Sequence, residues 1–250
     1  MKKTDVTAVL PTPRAPTDQR QHLFPERGTI VVVADSTLAR LGSIAERRWG
    51  LFTTAQAEAA GVARKQLVRM AASGAIERVA HGVYRMAGAP PQAHEAIYAT
   101  WLALGGAAAV RTASGVSPLV AGGVTAAVVH DIGDFFLDGL DFIVPSRKGT
   151  RLPDIRLRIR HVGPEDVVPV NGLPTLTVER TIVDLVEIGI DTSLVADALR
   201  DAVRMGKVVA PERLLSDLTA LADRQGNDAS RLAKELDGLV GTTSDGRARG

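Results

Sequence analysis

Basic side chains are concentrated in residues 46–87, which hold seven arginines and lysines against three acidic residues. Four long polar side chains fall on the first turns of one predicted helix: Arg64, Lys65, Gln66 and Arg69. A guanidinium group matches the O6 and N7 acceptors of guanine, a carboxamide matches N6 and N7 of adenine, and any cation can pair with a phosphate. This segment therefore offers chemistry that suits double-stranded DNA.

Each candidate residue has a predicted role at a DNA surface. We expect Arg64 and Gln66 to reach base edges. Lys65 and Arg69 are expected to lie on phosphates, and Thr54, at the start of the preceding helix, to donate to a phosphate. Three more residues are candidates for the DNA backbone or the minor groove: Arg78, His81 and Arg85. The same segment is also compatible with a docking module for a protein partner, on which the basic face is simply solvated.

Capping and helix-breaking residues define the elements that would hold these side chains. Thr53 and Thr54 predict the start of a short helix over 56–60, and Gly61 can take the positive φ that ends it. Apolar residues spaced three and four apart then predict a second helix over 63–73, with its basic side chains on the opposite face.

Two short strands complete this arrangement. They are predicted at 76–79 and 83–86, on either side of a turn at Gly82. A helix is predicted before the segment, from the cap pair at 35–36 to about Trp49. The order is that of a winged helix-turn-helix, in which the second helix enters the major groove by its N-terminal end.

Composition divides the chain into parts and predicts an α+β fold class. The parts are a flexible arm (1–35), a winged helix-turn-helix DNA-binding domain (36–87), a mixed α+β domain (92–240) and a disordered tail (241–250). Within the arm, the β-branched run 29–34 is either an edge strand or a hydrophobic piece of the arm. Glycine and proline at 87–91 predict a linker between the two domains.

Elements of the mixed domain follow from its periodicity. We predict helices at 94–104, from about 178, and at 194–205, 211–224 and 228–239, and strands at 126–130, 140–144 and 155–162. Arg180 and Asp184, four apart on a helix, are expected to form an ion pair. A second basic patch comprises Arg147, Lys148, Arg151, Arg156, Arg158 and Arg160. This patch either extends a DNA footprint, holds RNA, or is an exposed strand face.

Known catalytic patterns do not fit the second half of the chain. Asp154 is followed by arginines where a metal-dependent nuclease needs a second carboxylate and a lysine. Asp138 and Asp141 have two residues between them, whereas two aspartates that share a metal from one strand need one, so a turn is favoured. His130 and Asp131 are sequence neighbours and would point apart on a strand. We expect no enzymatic activity, no metal and no cofactor.

Overall composition excludes several other classes. An apolar content of 45% excludes wholesale disorder, and no apolar run reaches the length of a membrane span. The chain has no cysteine and no signal-peptide pattern at its start, which together predict a cytoplasmic protein. Residues 1–87 carry 13 basic against 7 acidic residues, and the remainder 17 against 21, so a polyanionic partner is expected for the first part.

The run from Leu51 to Met86 resembles the N-terminal winged-helix domain of AbiEi-family antitoxins, the transcriptional regulators of type IV abortive-infection toxin-antitoxin systems. The resemblance rests on three features: the turn at 61–62, the helix end at 67–74, and the wing formed by 78–79 and 82–85. Residues 128–131 and 176–185 are similar to parts of the family's C-terminal domain.

This resemblance implies a function and partners. It implies a repressor of its own operon that binds an operator with inverted repeats, together with a C-terminal domain that counters a nucleotidyltransferase-like toxin of the same operon without a stable complex. A two-fold operator calls for a homodimer or for cooperative binding of monomers. Two alternatives remain open: a protein-interaction module that uses the winged helix, and a DNA-binding protein with a degenerate nuclease-like C-terminal domain.

Overall fold

The computed structural model describes residues 28–106, 115–225 and 227–247. The chain forms two units, residues 1–38 and 39–250. The described part of the first unit is helical, because helix α1 extends over Gly28–Ala45. The run 29–34 is therefore neither an edge strand nor a piece of unstructured arm. Its β-branched residues cost only a few tenths of a kcal/mol each in a helix, and the apolar spacing continues without a break into residues 38–45. Residues 1–27 of the predicted arm lie outside the described residues.

Helix α1 also ends earlier than predicted, at Ala45 rather than near Trp49. Trp49 and Gly50 both have left-handed backbone angles, with φ of 56° and 76°. This conformation cannot continue an α-helix, so the chain turns sharply before the first strand.

The predicted winged helix-turn-helix is present. Its elements are β1 (Leu51–Thr53), α2 (Thr54–Ala59), α3 (Arg64–Ala72), β2 (Ile76–Ala80) and β3 (Val83–Met86). The strands form an antiparallel sheet in the order β1-β3-β2. One apolar cluster holds the helices to this sheet: Leu41, Ala45, Phe52, Ala57, Val62, Leu67 and Ile76. Helices α1 to α3 and strands β1 and β2 contribute to this cluster, and Tyr84 and Met86 of β3 pack against it, so the exposed side of α3 is fixed relative to the wing.

A mixed α+β region follows the winged helix. Its elements are α4 (Glu95–Ala103), β4 (Val120–Ala121), α5 (Gly123–Val129), β5 (Leu140–Val144), β6 (Ile155–Ile159), a 3₁₀ turn (Pro164–Asp166), β7 (Val167–Val170), β8 (Leu173–Leu176), α6 (Val178–Glu187), α7 (Thr192–Arg204), α8 (Pro211–Gln225) and α9 (Asn227–Arg247). The five strands have the order β6-β5-β4-β8-β7. The α+β fold class is thus confirmed.

Two elements of this region differ from the prediction. The strand predicted at 126–130 is the end of helix α5, four of whose last five residues are buried. A short apolar run with no polar face gives no periodicity to separate a helix from a strand. Helix α9 continues to Arg247, into the predicted tail. Extending an existing helix adds a hydrogen bond for each residue, so weak helix formers can follow a well-packed start.

Helix α4 joins the winged helix to the larger sheet. Ile97, Tyr98 and Trp101 lie in one apolar cluster with Leu51 and Val83 of the small sheet, and the same cluster contains residues of the larger sheet. The Trp49 ring stacks on Tyr98 with 4.3 Å between ring centroids, and its Nε1–H donates to the carbonyl of Asn171 at 2.8 Å. The winged helix and the α+β region therefore share a continuous core.

Candidate DNA-binding surface

Helix α2 is fixed by hydrogen bonds at its start. Thr53 is its N-cap: the Thr53 hydroxyl accepts from the Gln56 N–H at 3.1 Å, and the Gln56 carboxamide accepts from the Thr53 N–H at 2.9 Å. Gly61, with φ of 77°, makes the turn that follows. The predicted cap and turn are confirmed, and they set the angle between α2 and α3.

Helix α3 presents its basic face to solvent. Leu67 is buried and anchors the helix, whereas Lys65, Val68 and Arg69 are exposed, Val68 to 63%. Neither Lys65 nor Arg69 forms an ion pair within the part of the chain that the structure describes. Both cations are therefore open to an anionic partner.

Arg64 is also exposed, although it has a partner. Its Nε–H donates to a Glu58 carboxylate oxygen at 2.7 Å, and the two side chains are 75% and 41% exposed. Ion pairs this exposed contribute between 0 and about 1 kcal/mol. A phosphate or a guanine edge can therefore replace Glu58 at little cost.

Gln66 lies in the first turn of α3, where it makes a hydrogen bond within the chain. Its carboxamide oxygen accepts the backbone N–H of Ala63 at 2.9 Å, and the side chain is half-buried. Gln66 is the third residue of α3, where such a side chain satisfies a backbone donor that the helix leaves free. The contact stabilises the start of α3 and occupies the oxygen that a base would meet.

The wing carries Arg78 and His81 on its surface. Arg78 Nη2 donates to His81 Nδ1 at 3.3 Å, and both residues are exposed. Thr54, in contrast, is bound inside the fold: its N–H and its hydroxyl both donate to the carbonyl of Gly82, at 2.8 and 3.3 Å. This pair of bonds ties the first residue of α2 to the wing turn.

Arg85 does not face solvent. Its guanidinium donates to both Glu95 oxygens at 2.9 Å and also to Glu77, and its side chain is only 13% exposed. The hydrogen bonds that Arg85 donates to Glu77 and Glu95 raise the pKa of Arg85. Arg85 links the wing to α4, and the sequence did not indicate this because Glu95 lies beyond the predicted linker.

The second basic patch is divided by the fold. Arg158 forms a bidentate pair with Asp184, at 2.9 and 2.6 Å, and also donates to Asp141 at 3.0 Å. Arg160 contacts Asp184 and Glu187, and Arg156 lies 3.6 Å from an Asp138 oxygen. Arg158 and Arg160 are half-buried and held in ion pairs, whereas Arg156 stays 62% exposed, so the six predicted residues do not form one exposed patch. Arg147, Lys148 and Arg151 stay exposed.

The helix pair predicted between Arg180 and Asp184 is likewise wrong. Arg180 Nη2 donates to Glu187 at 2.6 Å, two turns further along α6. Asp184 is fully buried, and it accepts from Arg158 and, at 2.8 Å, from the Gly123 N–H. Arg158 on β6 offers Asp184 two parallel hydrogen bonds, whereas the Arg180 side chain pairs with Glu187 instead.

His130 and Asp131 are separated, as expected. His130 is buried and its Nε2–H donates to the Leu176 carbonyl at 2.6 Å, while Asp131 faces His94 at 3.0 Å. Burial lowers the pKa of His130. Among residues 28–106, 115–225 and 227–247, no three metal-ligating side chains converge, and no helix has the length and hydropathy of a membrane span.

The described geometry of α2, α3 and the wing corresponds to a known family of regulators. Residues 40–87 match the family model described as a transcriptional regulator, AbiEi antitoxin. This segment is AbiEi-like. The resemblance that its motifs indicated is confirmed, and the match supports a DNA-binding regulatory role. It covers α2, α3 and the wing, where Arg64, Lys65, Arg69 and Arg78 are exposed.

A comparison of structures extends beyond the AbiEi-like segment. The crystal structure of the RV2827C protein from Mycobacterium tuberculosis is 18% identical, with a TM-score of 0.45. The match covers 80% of this chain and 77% of that one. No curated protein sequence matches the chain.

Proposed function

We propose that this protein is a DNA-binding transcriptional regulator that represses its own toxin-antitoxin operon. The observation that carries the proposal is the exposed face of α3, on which Arg64, Lys65 and Arg69 surround Val68. An apolar side chain among cations suits the major groove, where a thymine methyl group lies beside phosphates and guanine acceptors.

The position of these cations on the helix supports the same function. Arg64 and Lys65 are the first two residues of α3, where free backbone N–H groups and the helix dipole give a positive potential. The side chains and the helix end therefore attract the same anion. The apolar cluster beneath α3 fixes the helix, so little conformational entropy is lost on binding.

The finer parts of the proposal concern the operator and the toxin. Two copies of α3 would occupy successive major grooves about 34 Å apart on an operator with inverted repeats, through a homodimer or through cooperative binding. The α+β region would counter a nucleotidyltransferase-like toxin without a stable complex. The AbiEi-like segment and the confirmed fold class support this assignment.

A band-shift titration with the DNA upstream of the gene tests the function. We expect selective binding relative to a scrambled duplex of equal length, with log K falling against log salt concentration by roughly 0.9 for each neutralised phosphate. Equal affinity for both duplexes, or no binding even at low salt, would contradict a sequence-specific regulator and favour the protein-interaction module.

The wing offers a matched pair of substitutions. Arg78→Ala is expected to make the salt slope shallower by about 0.9 and to leave the melting temperature unchanged, because an exposed cation is lost. Arg85→Ala is expected to lower the melting temperature, since Glu95, 14% exposed, loses its partner, and to leave the slope unchanged. Thermal denaturation and salt titration of both variants check this. A shallower slope with normal stability in Arg85→Ala would place Arg85 on the DNA.

A further inference from the structure

The loop between β5 and β6 lies beside the tip of the wing. Lys148, Thr150 and Arg151 of this loop line one cavity together with His81 of the wing turn. The cavity has a volume of about 330 Å³, and residues at the end of α4 also line it. We refer to it as the wing-loop cleft.

Positive charge collects around the wing-loop cleft. Arg147, Lys148 and Arg151 are exposed, and in the described ranges none of them forms an ion pair, unlike the arginines of β6. Arg78 adds a fourth arginine or lysine, because it contacts His81, which lines the cleft. Arg147 through Leu152 include no acidic residue, so this charge is not compensated within the loop.

The loop has the polar groups of an anion site. The Thr150 hydroxyl accepts the Leu152 N–H at 3.0 Å, which fixes the turn between the lysine and the second arginine. Gly149 has no atom near its Cβ position, so an anion can approach the backbone there. Two cations, an open backbone and a hydroxyl together suit a phosphate group.

We propose that the wing-loop cleft binds a phosphate of the DNA backbone beside the half-site contacted by α3. This inference rests on the proposed function. His81 of the wing turn lines the cleft, and the wing turn is bonded to the start of α2 through Thr54 and Gly82, so the cleft is attached to the helix-turn-helix. The α+β region thus contributes directly to the DNA footprint, although its overall charge is negative.

The test is a Lys148→Ala/Arg151→Ala variant in the full chain. We expect its affinity for the upstream DNA to fall about tenfold or more and the salt slope to become shallower by about 0.9, because one phosphate contact is lost, equally on operator and scrambled duplexes. The matched control is Arg224→Ala/Lys234→Ala, which removes the same two charges from exposed positions on α8 and α9. The control is expected to bind as the wild type does.

Three results separate the possible outcomes. If the loop variant has wild-type affinity and salt slope while variants of α3 lose binding, the wing-loop cleft does not bind DNA phosphate. The proposed function would then remain intact. Wild-type DNA affinity in both the loop variant and the variants of α3 would overturn the proposed function itself. Saturable ATP binding to the DNA-free protein, abolished in the loop variant while its DNA slope is unchanged, would show a small-anion site and overturn the DNA assignment.

Discussion

The Asp184→Ala variant is expected to lose about 3–5 kcal/mol of its free energy of unfolding, because one partner of a buried ion pair is removed. The Asp184 carboxylate is fully buried and accepts two hydrogen bonds from Arg158 and one from Gly123. Without it, the partners described for Arg158 are reduced to Asp141, and the Gly123 N–H loses the carboxylate to which it donates. For a unit of this size the melting temperature should fall by roughly 10 °C.

Urea unfolding of Asp184→Ala beside Asp217→Ala measures this effect. Asp217 is an exposed carboxylate on α8 that lies 3.9 Å from Arg213, and its removal should cost less than about 0.5 kcal/mol. Equal midpoints for the two variants would mean that the buried cluster contributes little to stability.

The same carboxylate makes stability depend on pH in acid. Burial alone would raise the pKa of Asp184, but the hydrogen bonds and charge of Arg158 outweigh it and hold the pKa below the ordinary value of 3.8. The stabilisation that the Asp184 carboxylate provides is therefore fully present above pH 3.8, and it is lost as the pH falls through the folded-state pKa. The difference between wild type and Asp184→Ala should accordingly shrink in acid, and a constant difference would show that the charge is not involved.

The second large effect is expected in DNA binding. An Arg64→Ala/Arg69→Ala variant should lose affinity for the upstream DNA by about a hundredfold or more, because one base contact of about 1–3 kcal/mol and one phosphate contact disappear together. Its melting temperature should stay that of the wild type, since both side chains are exposed and the ion pair with Glu58 is weak.

A matched control shows whether position or total charge matters. Arg224→Ala/Arg231→Ala also removes two exposed arginines, but from α8 and α9. We expect this control to bind DNA with nearly wild-type affinity. Comparable losses in both variants would mean that net charge, and not the face of α3, determines binding.

Local signals in the sequence predicted the parts of the fold that depend on neighbouring residues. Thr53 and Gly61 define the two ends of α2 through contacts within a few positions, and the structure has both. The same holds for the exposed cations of α3, since the burial of Leu67 fixes which face is turned outward. Capping and helical periodicity were sufficient here.

Distant partners explain what the sequence did not reveal. Glu95, one of the two acids that bind Arg85, is ten residues away and on another element, and the arginine that binds Asp184 is 26 residues away. Helix spacing favoured Arg180 for Asp184, yet Asp184 pairs with Arg158, which lies on β6. An ion pair between elements depends on the assembled core, so charge patterns along the chain cannot identify it.

The stack of Trp49 on Tyr98 has a consequence for how the molecule can be divided. A fragment that ended after the wing would lack α4, which covers Leu51 and Val83. One face of its small sheet would then expose apolar side chains to water. Another winged helix could replace this one only if it provided the same aromatic contact with α4, because the position of α3 depends on a core that includes residues from both regions.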